Sequence, residues 1–111
     1  MYIQQAIKKD IARFTAICRE HSIKALYAFG SSITDRFNPQ TSDIDLYVEM
    51  EDMEPLERGE KLFALWDKLE AFFHLKVDLL TQKATHNPFL LESINSTKLL
   101  IYDNQRKEVL I

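Results

Sequence analysis

Two aspartates, Asp43 and Asp45, open a segment of the chain that otherwise has the composition of a strand. Aspartate is depleted in strands, so two of them in one strand need a reason. Alternate residues of a strand point to the same face, which places both carboxylates on one side, about 7 Å apart, and Ile44 and Leu46 on the other. Like charges at this spacing repel unless a cation lies between them, and a divalent metal ion is the simplest candidate.

A second candidate site element, Gly30-Ser31, ends the apolar run from Ala25 to Phe29. We expect a short helix from Ser31 to about Arg36. Glycine allows close backbone approach, and the free N–H groups of a helix start can bind an anion, so this turn could hold a phosphate group. An ordinary turn with Ser31 as helix N-cap is the alternative, and the downstream aspartate pair favours the phosphate site.

These two elements together resemble a known signature. Gly30-Ser31, eleven intervening residues and then Asp43-Ile44-Asp45 is similar to the motif of the DNA polymerase beta-like nucleotidyltransferase superfamily. The short chain resembles the minimal nucleotidyltransferases within it. Many members of the superfamily carry Arg-Gly soon after the Gly-Ser pair, whereas this chain has Thr34-Asp35 followed by Arg36. The resemblance implies that Arg36 takes over a role in phosphate binding.

The resemblance also implies a reaction and its site. The expected reaction moves a nucleoside monophosphate from an NTP, ATP in the first place, to a hydroxyl group and releases pyrophosphate. Two Mg²⁺ ions, with Mn²⁺ as a substitute, would be bound by Asp43, Asp45 and a third carboxylate, Asp78, which lies between apolar residues in a predicted strand from Leu75 to Leu80. These three aspartates are the expected catalytic residues. The expected phosphate-binding residues are Gly30, Ser31, Arg36 and Ser42.

The elements that must position these residues follow from hydrophobic periodicity and from turn signals. Apolar residues at helical spacing predict a helix from Ile3 to about Arg19, with Cys18 buried in its apolar face. A second, aromatic stripe from Leu62 to Phe73 predicts a helix that begins near Pro55; it packs in the core, with Trp66 or one phenylalanine able to reach an interface. The remaining predicted elements are strands at Ile23–Phe29, Asp43–Glu49 and Lys98–Tyr102, a helix capped by Asn87 with Leu90, Leu91 and Ile94 facing inward, and a polar tail at Asp103–Glu108.

This order of elements predicts an α/β (α+β) domain of residues 1–111, in which helices pack on a mixed sheet of about four strands. The net charge is −3, so no basic field draws the chain to nucleic acid. The single cysteine excludes an intramolecular disulfide, and the polar N-terminus is typical of neither a signal peptide nor a membrane anchor. We therefore expect a cytoplasmic protein that acts on neither DNA nor lipid.

The acceptor must come from elsewhere, because 111 residues leave no room for an acceptor-binding domain. By resemblance to the minimal nucleotidyltransferases, the partner would be a small helical HEPN-type toxin, and this chain its antitoxin, which adenylylates it. Two alternatives stay open. The chain could be a non-catalytic antitoxin that neutralises its partner by contact, or a homodimeric enzyme that modifies a small molecule such as an antibiotic.

Overall fold

The structure, a computed structural model, describes residues 1–82 and 86–110. Within these ranges helices and strands alternate along most of the chain, which confirms the predicted α+β class. The elements are α1 (Tyr2–Lys8), α2 (Ile11–Glu20), β1 (Ile23–Ala28), a 3-10 helix (Gly30–Ile33), β2 (Ile44–Met50), α3 (Pro55–Phe73), β3 (Val77–Thr81), α4 (Pro88–Thr97), β4 (Leu99–Asp103) and β5 (Glu108–Val109).

The strands form one mixed sheet in the order β3-β2-β1-β4-β5. Strands β2 and β3 are parallel, and the other pairs are antiparallel. The predicted count of about four strands is one short, because β5 begins at the last residue of the predicted polar tail, Glu108. Val109 pairs with Tyr102 there. A two-residue strand with one apolar residue has no period-2 pattern, so hydrophobic alternation could not reveal it.

The predicted first helix is interrupted near Asp10. The backbone of Asp10 is outside the helical region, with φ at −150°. The Asp10 side chain accepts a hydrogen bond from the Arg13 N–H and so caps α2. The apolar positions on either side stay in phase, with Ile7 and Phe14 both buried. Periodicity alone therefore predicted one helix where an internal N-cap makes two.

The sheet is covered unevenly. The large core lies between one sheet face and α1, α2 and α3, and it includes Ile44 and Leu46, as predicted from their alternation with the aspartates. A smaller cluster on the other face packs Ile94 of α4 against Phe29 and Tyr47. Because side chains alternate along β2, Asp45 lies on this second, less covered face.

The predicted starts of α3 and α4 are confirmed, and the predicted inward-facing residues of α4 are confirmed in part. Pro55 begins α3, and the Asn87 side chain accepts hydrogen bonds from the N–H groups of Phe89 and Leu90 at the start of α4. Leu90 does not face inward as predicted, since it is 42% exposed, whereas Ile94 is buried. No helix in residues 1–82 or 86–110 is both long and apolar enough to cross a membrane.

Candidate active site

Asp45 is held in place through its backbone. Its C=O accepts a hydrogen bond from the Phe29 N–H (3.1 Å), and its N–H donates to Ser32 Oγ (2.8 Å). Ser32 is completely buried, so water does not compete for this bond. The turn after β1 and the start of β2 are thereby locked together, and the position of the Asp45 carboxylate depends on both.

Gly30 lies directly against this carboxylate. Its φ is +62°, and a Cβ built on it would be 2.6 Å from Asp45 Oδ2. Any side chain would therefore collide with the carboxylate and would also be strained in the left-handed region. We predicted that a glycine here permits a close approach of phosphate. The structure shows the close approach of Asp45, and the contact with phosphate stays a prediction.

Asp78 lies beside Asp45. The parallel pairing of β2 and β3 aligns the two residues in register, as neighbouring strands about 4.8 Å apart. The buried side chains of Val77 and Leu79 point into the large core, so exposed Asp78 points to the same open face as Asp45. The strand predicted around Asp78 thus brings it to the aspartate pair.

Asp43 precedes the first residue of β2. Its carboxylate is about half exposed and lies 4.0 Å from the Lys76 ammonium, at the limit of an ion pair. The backbones of the two segments are also joined, since the Ile44 N–H donates to the Lys76 C=O at 2.9 Å. Asp43 therefore stands at the edge of the site, with the exposed Lys76 ammonium beside it.

The carboxylates influence one another electrostatically. The pKa of Asp45 is raised from 3.8 to about 6, first by burial and then by the negative charges of Asp78 and Asp43. Asp45 is thus the carboxylate most strongly disfavoured as a bare anion. A bound cation would stabilise the anion and so offset both effects.

These side chains suit a hard metal ion, although they do not converge on one point. Among the described residues, no group of three or more His, Cys, Asp or Glu is arranged to hold a metal. Asp45 and Asp78 are nevertheless in register on neighbouring strands, and Asp43 is two residues from Asp45 along the chain. Carboxylate oxygens without sulfur or imidazole favour Mg²⁺ or Mn²⁺ over zinc.

The predicted phosphate-binding residues lie on the 3-10 helix and on the segment that follows it before β2. The helix expected from Ser31 to Arg36 is only a 3-10 turn, because Thr34 is extended and closes it with two bonds to the Ser31 C=O. The Ser31 hydroxyl and the exposed Arg36 guanidinium form no bond with any described residue. Within its own loop, Ser42 Oγ accepts a hydrogen bond from the Asn38 N–H at 3.2 Å, and its role in phosphate binding stays a prediction.

Ser32 is the site residue that the sequence did not indicate. Its role depends on a hydrogen bond to the backbone of Asp45, thirteen residues away, and a third small residue after Gly30-Ser31 carries no signal for such a bond. Cys18, predicted to be buried and inert, is buried, and burial raises the pKa of its thiol to about 12.

The chain is similar to known proteins over most of its length. The sequence profile of the family described as "Polymerase beta, Nucleotidyltransferase" matches residues 13–107, most of the chain. The chain is also 34% identical over 97 residues to the Methanocaldococcus jannaschii protein named "Putative protein adenylyltransferase MJ1379". This match covers 86% of the chain and 93% of that protein.

Solved structures share the fold. A chain of the crystal structure of a toxin–antitoxin with AMP-PNP has a TM-score of 0.60 at 22% identity; the match covers 87% of this chain and 76% of that one. A chain of the structure of a tri-AMPylated Shewanella oneidensis HEPN toxin with MNT antitoxin has a TM-score of 0.56 at 23% identity, covering 93% and 74%. At these identities the likeness shows a common nucleotidyltransferase fold.

Proposed function

This chain belongs to the polymerase beta nucleotidyltransferase family, and from that membership we propose that it transfers AMP from ATP to a hydroxyl group of a partner protein. The observation that carries this proposal is the register of Asp45 with Asp78 on the open face of the sheet. Transfer of a phosphoryl-type group requires positioning and charge neutralisation more than covalent chemistry, and adjacent carboxylates supply the ligands for both.

Asp43, Asp45 and Asp78 would hold two Mg²⁺ ions. When bound, Mg²⁺ neutralises the phosphates and lowers the pKa of the acceptor hydroxyl. Asp78, the more exposed carboxylate at the edge of the sheet, would accept the proton of that hydroxyl. The Ser31 hydroxyl and the Arg36 guanidinium, both without partners among the described residues, would hold the triphosphate, and Gly30 would keep the space that Asp45 needs.

We propose a protein as the acceptor because the described site is open. Asp78 is exposed on an edge strand, so these elements alone provide little to hold a free small molecule in line with the α-phosphate. Positioning supplies much of the rate in such reactions, and a docked protein surface would provide it. The names of the relatives support an adenylylated protein, and the toxin–antitoxin structures support a small helical HEPN-type toxin, with this chain as antitoxin.

The test is to incubate the purified chain with ATP labelled in its α-phosphate, Mg²⁺ and the protein encoded by the neighbouring gene, and to map the adduct by mass spectrometry. We expect AMP on a tyrosine or another hydroxyl of that protein. Asp45→Asn should abolish the transfer, and Asp78→Asn should slow it about a hundredfold or more while sparing ATP binding, because its role is on the acceptor side. Asp67→Asn, an exposed carboxylate on α3, is the matched control.

The two alternatives give different results in the same assay. A tight complex without any adduct would mean that the chain is a non-catalytic antitoxin that acts by contact. Labelling of a small molecule in place of the protein would mean that the chain is a small-molecule nucleotidyltransferase. Transfer by Asp78→Asn at the wild-type rate would show that the third carboxylate is assigned wrongly.

A further inference from the structure

The outer face of α3 carries large apolar side chains that no described residue covers. Leu56 is 77% exposed and Phe63 is 71% exposed. They are seven residues apart and so lie on the same side of the helix. The opposite side of α3 is fully used, since Leu65 and Leu69 are completely buried in the large core.

This face is rigidly placed. Trp66 Nε1 donates to the Val77 C=O at 2.7 Å, and the Val77 N–H donates to Glu70 Oε2 at 2.9 Å. Strand β3 lies at the edge of the sheet and, among the described residues, has no neighbouring strand on its outer side. Two side chains of α3 form hydrogen bonds with its backbone there, and they connect the helix to the sheet. A partner would meet a preformed surface and would lose little by ordering it.

The exposed surface of α3 also carries two opposite charges, spaced equally on either side of a small residue. Glu60, Ala64 and Lys68 follow one another at intervals of four, so they form a single ridge, and all three are exposed. Neither Glu60 nor Lys68 forms an ion pair with another described residue. A half-turn about an axis through Ala64 brings Glu60 to the position of Lys68, and the ridge is therefore complementary to itself.

We propose that α3 of one chain packs against α3 of a second copy, crossing in the antiparallel sense at Ala64. Ridges of this type interdigitate, and Ala64 permits close approach at the crossing. Glu60 of each copy then lies beside Lys68 of the other, and Phe63, next to Ala64, is covered at the flank. We assign a second copy as the occupant because a two-fold contact matches this charge pattern with itself.

This dimer leaves the candidate active site of each copy free. Helix α3 packs on the sheet face that contains Ile44 and Leu46, whereas Asp45 and Asp78 lie on the opposite face. The proposal is therefore independent of the AMP acceptor, and a failure of either leaves the other standing.

The test is sedimentation equilibrium of the full chain at low and high salt. We expect a species of twice the 13.0 kDa monomer mass that forms with increasing concentration and weakens as salt is added. Glu60→Lys or Lys68→Glu should each weaken the dimer about tenfold or more, because like charges then meet twice. The double variant Glu60→Lys/Lys68→Glu should restore it, and a mixture of the two single variants should form a heterodimer.

Both substitutions are on exposed positions, so the variants should fold, which far-ultraviolet circular dichroism can verify. Glu92→Lys, an exposed charge on α4, is the matched control and should leave the association unchanged. A monomer at every concentration, or a dimer that is equally tight in wild type and in both single variants, would overturn the proposal.

Discussion

Single residues at the site constrain one another through short contacts. Gly30 must lack a side chain because Asp45 Oδ2 occupies the space of its Cβ, and Asp45 is in turn held by the buried hydroxyl of Ser32. The alternation of Asp43 and Asp45 with buried Ile44 could be predicted from period 2 alone. The role of Ser32 could not, because a bond between residues far apart in sequence leaves no local pattern.

Substitution by alanine should have opposite effects on stability at the two glycines of the chain. Gly30→Ala places a methyl group 2.6 Å from Asp45 Oδ2 in a left-handed backbone, and it should cost about 1–2 kcal/mol of stability. It should also reduce AMP transfer by displacing the carboxylate. Gly59→Ala lies within α3 with nothing within 4 Å of the new Cβ, and it should stabilise the chain by about 0.5–1 kcal/mol. Urea denaturation of both variants compares the two; equal effects would contradict this account of Gly30.

The raised pKa of Asp45 predicts a pH dependence of stability in the absence of divalent ions. The folded chain holds this proton more tightly than the unfolded chain, so the free energy of unfolding should fall as pH rises from about 4 to 6 and then level off. Because the carboxylate is partly solvated, we expect a screened contribution of about 1 kcal/mol. Asp45→Asn should remove this contribution, so its stability relative to wild type should be greater at pH 7 than at pH 4.

Urea unfolding at the two pH values, with a chelator present, measures that difference. Asp67→Asn serves as the control for loss of one exposed carboxylate. If wild type and Asp45→Asn change by the same amount between the two pH values, the shifted pKa does not belong to Asp45.

At the scale of elements, α3 and α4 could be predicted because their ends carry strong local signals. Pro55 begins one helix, and Asn87 caps the other. The break at Asp10 and strand β5 escaped prediction for different reasons. Asp10 caps a helix inside a continuous apolar stripe, and β5 exists only because its neighbour β4 is already in place. Elements defined by tertiary pairing are those that local patterns miss.

The contacts between α3 and β3 give a prediction at this scale. Trp66→Phe removes the donor to the Val77 C=O and should cost about 1–2 kcal/mol, because a half-buried acceptor loses its partner. Amide hydrogen exchange should accelerate in β3, from Val77 onward, more than in the central strand β1. Phe63→Leu, a change of an exposed side chain on the same helix, should leave exchange in β3 unchanged; equal exchange in the Trp66→Phe variant would contradict a tethering role.

At the scale of the whole molecule, the sheet is covered by three helices on one face and by α4 on part of the other. The carboxylates lie on the less covered face, and a cavity of about 300 Å³ lined in part by Val48, Arg58 and Leu62 lies apart from them. The large apolar core and the carboxylates of the candidate active site are thus on opposite faces of the sheet. Ligand binding should therefore act on stability mainly through charge.

Mg²⁺ and ATP together should raise the melting temperature. A ligand that binds only the folded chain, at about one hundred times its Kd, contributes about 2.7 kcal/mol. For a chain of this size we expect a shift of several degrees, larger than with ATP or Mg²⁺ alone, because each relieves the charge of the other. Differential scanning calorimetry measures it. Asp45→Asn should lose the shift, and identical melting curves with and without both ligands would count against an active site here.

The register between β2 and β3 also determines which insertions the chain can tolerate. Asp45 and Asp78 share a face only while Ile44 pairs with Val77 and each strand keeps its alternation. One residue added in the loop at Glu51–Glu54 leaves that parity intact, whereas one added between Val77 and Asp78 sends the carboxylate toward the core or breaks the pairing. The length of β3 is therefore as much a part of the site as the identity of Asp78, and natural variation in chain length should lie outside β3.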